Sequence, residues 1–130
     1  FLKGKKIPVY GDGQQVRDWL FVKDHCDALM CVLKSGTPGE SYNIGGNCEK
    51  TNLELIECVY DELKRTYPEL LKQPLDYYIS FVDDRLGHDR RYAIDASKMS
   101  RELGWEPSHD FSDGIAKTIN WYSEDLALAR

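Results

Sequence analysis

Two short stretches concentrate the side chains that could do chemistry. In YGDGQQVRDWLFV, residues 10–22, Arg17 and Asp18 interrupt a run that is otherwise β-prone through Val16, Trp19, Leu20, Phe21 and Val22. DDRLGHDRRYAID, residues 83–95, carries Arg85, His88, Arg90 and Arg91 around Gly87. A guanidinium is a rigid fork of donors that fits two phosphate oxygens at once, so both stretches suit a small phosphate-bearing anion. Competing readings need no ligand: Arg17 can lie over Trp19 at a sheet edge, and Asp83, Asp84 and Asp89 can neutralise the arginines of a solvated loop. Asp83 and Asp84 make a poor acid/base pair, because neighbours on a strand point to opposite faces. His88 has no serine or cysteine nucleophile in a recognisable motif beside it, so a ligand hydrogen bond suits it better than general-base work. Asp18 alternates onto the more aliphatic face with Val16, Leu20 and Val22, where an unpaired charge is costly. It is expected to accept hydrogen bonds from backbone N–H groups or a basic side chain.

These side chains need elements to hold them. After a hairpin-like opening segment, Asp24 with Asp27 three residues on predicts a helix start. Leu29, Val32 and Leu33 supply the apolar face of that helix, near 25–35, and Gly36 and Pro38 stop it. SYNIGG, 41–46, reads as a strand running into a glycine loop. Thr51 and Glu54 form a capping box, after which Leu55, Ile56, Val59, Tyr60 and Leu63 repeat at helical spacing until Pro68. DYYISFV, 76–82, predicts a buried strand. Asp95 can cap a short helix ending at Gly104, and Phe111, Ile115, Ile119 and Tyr122 mark the face of a last one. The alternation predicts an α/β fold: a small, partly parallel sheet with packed helices. The arginine-rich loop then follows a strand at its carboxyl end, where open α/β sheets bind ligands.

With 130 residues, 42% of them hydrophobic, the chain suits one domain, residues 1–130. A net charge of −5, with basic residues clustered only around Arg85, Arg90 and Arg91, argues against a nucleic-acid binder. Neither a signal peptide nor a bilayer-spanning run is evident, and the start at Phe1 reads as a piece of something longer. Cys26, Cys31, Cys48 and Cys58 form no C-x-x-C pair and have no histidine at zinc-like spacing. Free thiols, no metal and a cytoplasmic location are the expectation.

PVYGDGQQVRDWLFVKDH, GESYNIGG, EKTNLELI, DRLGHDRRYAID and RELGWEPSHDFSDGIAKTINWY, in that order, closely resemble the carboxy-terminal part of the dTDP-glucose 4,6-dehydratases. These are nucleotide-sugar enzymes of the extended short-chain dehydrogenase/reductase family. The resemblance implies a lyase that converts dTDP-glucose to dTDP-4-keto-6-deoxyglucose and water. NAD takes hydride from sugar C4, water leaves across C5 and C6, and the hydride returns to C6. It further implies that Pro8, Val9 and Tyr10 line the nucleotide, that Arg17 binds the diphosphate and that Asn52 lies near the same nucleotide. Asp84, Arg85, Gly87 and His88 match the D-R-P-G-H loop that closes on the ligand, with Leu86 standing where the family has proline.

The chain lacks a glycine-rich dinucleotide fingerprint, and among its tyrosines only Tyr60, on the apolar face of the capped helix, has a lysine four residues later, Lys64. It therefore reads as the substrate-binding lobe without the Rossmann half. NAD would be held by the absent amino-terminal half, with no cofactor and no catalytic residue on this piece, which would be inert alone. The implied partner is a dTDP-sugar, without nucleic acid or membrane, in a full-length homodimer. A related nucleotide-sugar epimerase or decarboxylase lobe, and a non-catalytic nucleotide-sugar-binding module, remain alternatives.

Overall fold

Strand β1 (Ile7–Tyr10) lies parallel to β4 (Ile79–Val82), with Tyr10 opposite Val82. In a second sheet β2 (Val16–Asp18) is central, antiparallel to β3 (Glu49–Thr51) and parallel to β5 (Arg91–Tyr92). The computed structural model describes residues 1–128. Two connections, 11–15 and 83–90, run from the carboxyl ends of one parallel pair to the amino ends of the other. They are tied at both ends: Gly11 N–H donates to Val82 O at 3.0 Å and Val16 N–H to Arg90 O at 2.9 Å. The α/β layout is as expected, but the strands form two sheets, and the opening segment is not a hairpin because β1 and β2 belong to different ones.

The helices are α1 (Val22–Ser35), α2 (Asn52–Thr66), α3 (Leu75–Tyr78), α4 (Ser97–Leu103) and α5 (Phe111–Leu128). The capping box at the start of α2 is formed in full. Glu54 N–H donates to Thr51 Oγ1 at 3.1 Å and Thr51 N–H to Glu54 Oε2 at 2.6 Å, so two orphan donors are satisfied. α2 packs on α5 and buries Leu63, with Ile119 buried on the α5 side. α4 ends at Gly104 with φ +65°, the left-handed cap that glycine adopts freely. Asp95 caps α4 from one position further out than expected, accepting from Ser97 N–H at 2.9 Å while Ala96 is the boundary residue.

Further expectations need correcting. DYYISFV divides into α3 and β4, because a turn opens at Pro74, whose carbonyl accepts from Tyr77 N–H at 3.1 Å. Among the described residues β4 pairs only with β1, and its Phe81 and Val82 are exposed. SYNIGG is no strand. Gly45 and Gly46 instead press against β2, where a Cβ on Gly45 would sit 2.6 Å from Asp18 Oδ2 and one on Gly46 would collide with the Trp19 carbonyl. This close approach lets Gly46 and Cys48 donate their N–H groups to the two Asp18 oxygens, each at 2.8 Å, which is how that charge is satisfied.

Asp24 is not the cap of α1, which begins at Val22 after Phe21 and has no side-chain cap. With 1% exposure, Asp24 accepts from Ser108 Oγ at 2.7 Å, from His109 Nδ1 at 2.7 Å and from His109 N–H at 3.1 Å, joining α1 to the segment before α5. Ala28, Cys31 and Val32 continue that inward face, whereas Leu29 and Leu33 are exposed. α4 lies against α1, where Ala28 and Met99 are both fully buried. All four cysteines are free. Among the described residues no helix is long and apolar enough to cross a membrane, and no cluster of metal-ligating side chains occurs.

Candidate functional site

The paired connections bring most of the predicted site residues to one end of the β1–β4 pair. Tyr10 closes β1, and the Arg85 guanidinium carbon lies 4.1 Å from its ring centroid, within cation–π range. Arg17, on β2, turns back toward the same loop: its Nη1 donates to Val16 O at 2.7 Å and Asp89 O at 3.0 Å. It does not use Trp19, whose Nε1 donates to Lys50 O at 3.1 Å. Asp84 Oδ1 accepts from Arg85 N–H at 2.8 Å and from His88 Nδ1 at 2.6 Å. The His88 contact leads in holding the Asp84 carboxyl below its usual range, against desolvation. Asn52 opens α2 and is tied to the site through its N–H, which donates to Gln15 O at 3.1 Å. Pro8 is exposed, while the Val9 side chain is turned into the core and can meet a ligand only through its main chain.

Between Asp84 and His88 the chain makes a type II turn. His88 N–H donates to Arg85 O at 3.2 Å, and Gly87 has φ +71° whereas Leu86 does not have positive φ. Leu86 thus holds the position that favours proline, is fully exposed, and its N–H makes no hydrogen bond among the described residues. Leu86→Pro should raise unfolding stability by about 0.4–1 kcal/mol, by restricting the unfolded chain. A lowered urea midpoint would show that the turn cannot accept the ring.

Arg90 and Arg91 are corrected out of the cluster. Arg90 Nη1 contacts both Asp12 oxygens at 2.8 Å, and Arg91 forms a two-pronged pair with Glu49 at 2.6 Å on each side. Their neutralising partners are therefore Asp12 and Glu49 rather than the aspartates of their own loop. Arg65 and Arg101 also have carboxylate partners. Among the described residues, Arg17 and Arg85 are the arginines with no carboxylate within 4.0 Å. A cavity of about 1070 Å³ opens elsewhere, between residues 19–23, α2 and α5. Its walls include Phe21, Leu55, Phe111 and Ile115 together with Lys23 and Lys117, and contain neither of those arginines.

The family model of GDP-mannose 4,6 dehydratase matches residues 1–118. The chain belongs to that family. Its relatives within this dehydratase group include the dTDP-glucose 4,6-dehydratase of Xanthomonas campestris, 54% identical over 121 residues that make up 93% of this chain and 34% of that protein. The crystal structure of the Bacillus anthracis dTDP-glucose 4,6-dehydratase in complex with NAD superposes with a TM-score of 0.79 at 50% identity, over 95% of this chain and 36% of that one. The Streptomyces venezuelae enzyme, also with NAD bound, gives 0.82 at 41% identity, over 98% and 37%. The fold is that of these enzymes, and the chain spans about a third of the length of the relatives it matches.

Among the described residues no glycine-rich turn opens onto a helix N-terminus. A pyrophosphate needs a glycine-rich turn opening onto a helix N-terminus. Here Gly11 and Gly13 lead into β2, and the first turn of α2 is occupied by its own capping box. Sequence reasoning missed Gln15, which is buried beneath the loop and donates from Nε2 to Asp84 Oδ2 at 3.2 Å. Its signal was weak: one amide beside Arg17, with nothing in its spacing to say which distant carboxylate it meets.

Proposed function

We propose that the chain is the nucleotide-sugar-binding part of a longer dTDP-glucose 4,6-dehydratase, a carbon–oxygen lyase. The whole enzyme forms dTDP-4-keto-6-deoxyglucose and water from dTDP-glucose. The observation that carries the reading is the pair of arginines without carboxylate partners among the described residues, both at the 83–90 connection: Arg85 belongs to it and lies on Tyr10 at the carboxyl end of β1, and Arg17 reaches it from β2 at Asp89. A bound diphosphate supplies the missing negative charge, with Arg17 reaching it from β2 and Arg85 from its platform on Tyr10. His88, braced by Asp84, adds a hydrogen bond, while Pro8, the Val9 main chain, Tyr10 and Asn52 border the nucleotide. Leu86 and Gly87 shape the turn that carries Arg85 and His88.

NAD and the proton-transfer groups belong to the remainder of the polypeptide, and the full-length enzyme is a cytoplasmic homodimer. The 54% identity to the Xanthomonas campestris dTDP-glucose 4,6-dehydratase supports this substrate over other nucleotide sugars. Product analysis tests it. The full-length protein should convert dTDP-glucose to the 4-keto-6-deoxy sugar, and the isolated 130-residue chain, given dTDP-glucose and NAD, should form none. An epimerised or decarboxylated product from a matching nucleotide sugar, with no 4-keto product from dTDP-glucose, would refute the substrate assignment.

A further inference from the structure

We infer that Gln15 is a positioning residue that holds the Asp84–His88 turn in its ligand-binding geometry, an inference that rests on the reading of that turn as a diphosphate-sugar site. Gln15 lies between β1 and β2, is 2% exposed, and is anchored through its carbonyl by Asn52 N–H at 3.1 Å. Asp84 is shared between the interior and the turn. One oxygen takes Gln15 Nε2 at 3.2 Å, while the other takes both Arg85 N–H and His88 Nδ1, at 2.8 and 2.6 Å. Fixing the inner oxygen therefore fixes the direction of the outer one, and with it both ends of the segment that presents Arg85 and His88. The His88 Nδ1 proton is committed to the carboxylate, and Nε2, which has no partner among the described residues, is left for a ligand.

The amide itself shows what determines its orientation. Only its NH₂ can face a carboxylate, so Oε1 is turned the other way, where it is buried and meets no donor. An unsatisfied buried carbonyl is unfavourable, and an apolar side chain of similar volume would fill the space without it. The contact also depends on Gly11, at φ +58°, where a Cβ would sit 2.7 Å from Asp84 Oδ2 and 3.1 Å from Gln15 Nε2. A polar side chain that is poorly satisfied itself, yet grips the carboxylate that organises the turn, is placed for orientation rather than for stability.

Gln15→Met in the full-length protein separates the two roles, with calorimetric titration of dTDP as the readout and thermal unfolding alongside. The expected result is about a tenfold loss of dTDP affinity, the scale of one hydrogen bond to a charged group, with the melting midpoint unchanged or raised. In an Asp84→Ala background the same substitution should change affinity less than about twofold, because its route to the ligand is already cut. Unchanged affinity in Gln15→Met, or equal losses with and without Asp84, would overturn the inference. A collapse of the melting midpoint in both Gln15→Met and Gln15→Leu would do the same by showing a structural role. Failure of the underlying site reading looks different: Arg85→Ala and His88→Ala would then both leave dTDP affinity untouched.

Discussion

Arg17→Ala in the full-length enzyme should weaken dTDP binding about a hundredfold, the scale for truncating one partner of a desolvated charge contact. Arg17→Lys should recover little of that loss, because a point charge replaces a fork that can hold two phosphate oxygens and also reach the Asp89 carbonyl at 3.0 Å. Arg85→Ala removes the second unpaired guanidinium, together with its packing on Tyr10. If both act on one diphosphate, the double variant should be non-additive, with a coupling of about 0.5–3 kcal/mol in titration calorimetry. Strict additivity would mean that the two arginines do not share a ligand, and Arg17 would then serve only to tie β2 to the 83–90 connection.

Asp24→Ala should cost the fold about 3 kcal/mol, since it leaves His109 and Ser108 without the buried carboxylate that joins them to α1. The effect should depend on pH. Burial pushes the Asp24 carboxyl up, but the His109 ring, the Ser108 hydroxyl and the His109 N–H together outweigh it and hold the group below the ordinary value of 3.8. A carboxyl that titrates lower in the folded chain than in the unfolded one contributes fully above the unfolded value, and loses that contribution as pH falls through the folded one. The gap in urea midpoint between parent and Asp24→Ala should therefore be widest near neutrality and narrow in the acid range below about 4, the unfolded carboxylate value. A gap that stays constant down to pH 3 would show that the carboxylate's charge does not matter to this junction.

What could be read from the sequence alone is what short-range chemistry or an unavoidable penalty dictates. Thr51 and Glu54 lie three residues apart, so their mutual capping bonds form wherever α2 is placed. Gly104 ends α4 because its φ of +65° suits a residue without a Cβ. Asp18 had to find donors because a charge among aliphatic residues is too costly to leave bare, and the Gly46 and Cys48 amides provide them. The motif order was enough to recognise the family.

Tertiary structure decided the pairings between residues far apart in sequence. Asp12 and Arg90 are 78 residues apart, Gln15 and Asp84 69, and Asp24 and His109 85. No local rule says which carboxylate neutralises which arginine, so only the fold separates Arg90 and Arg91, which are paired, from Arg17 and Arg85, which have no carboxylate partner among the described residues. The inward face of α1 was likewise settled by shape. Hydrophobicity points to Leu29 and Leu33, but the surface toward α4 buries Ala28, and the larger side chains are left outside. Periodicity registers how apolar a residue is, whereas packing depends on the distance between two backbones, and that distance exists only once both helices are in place.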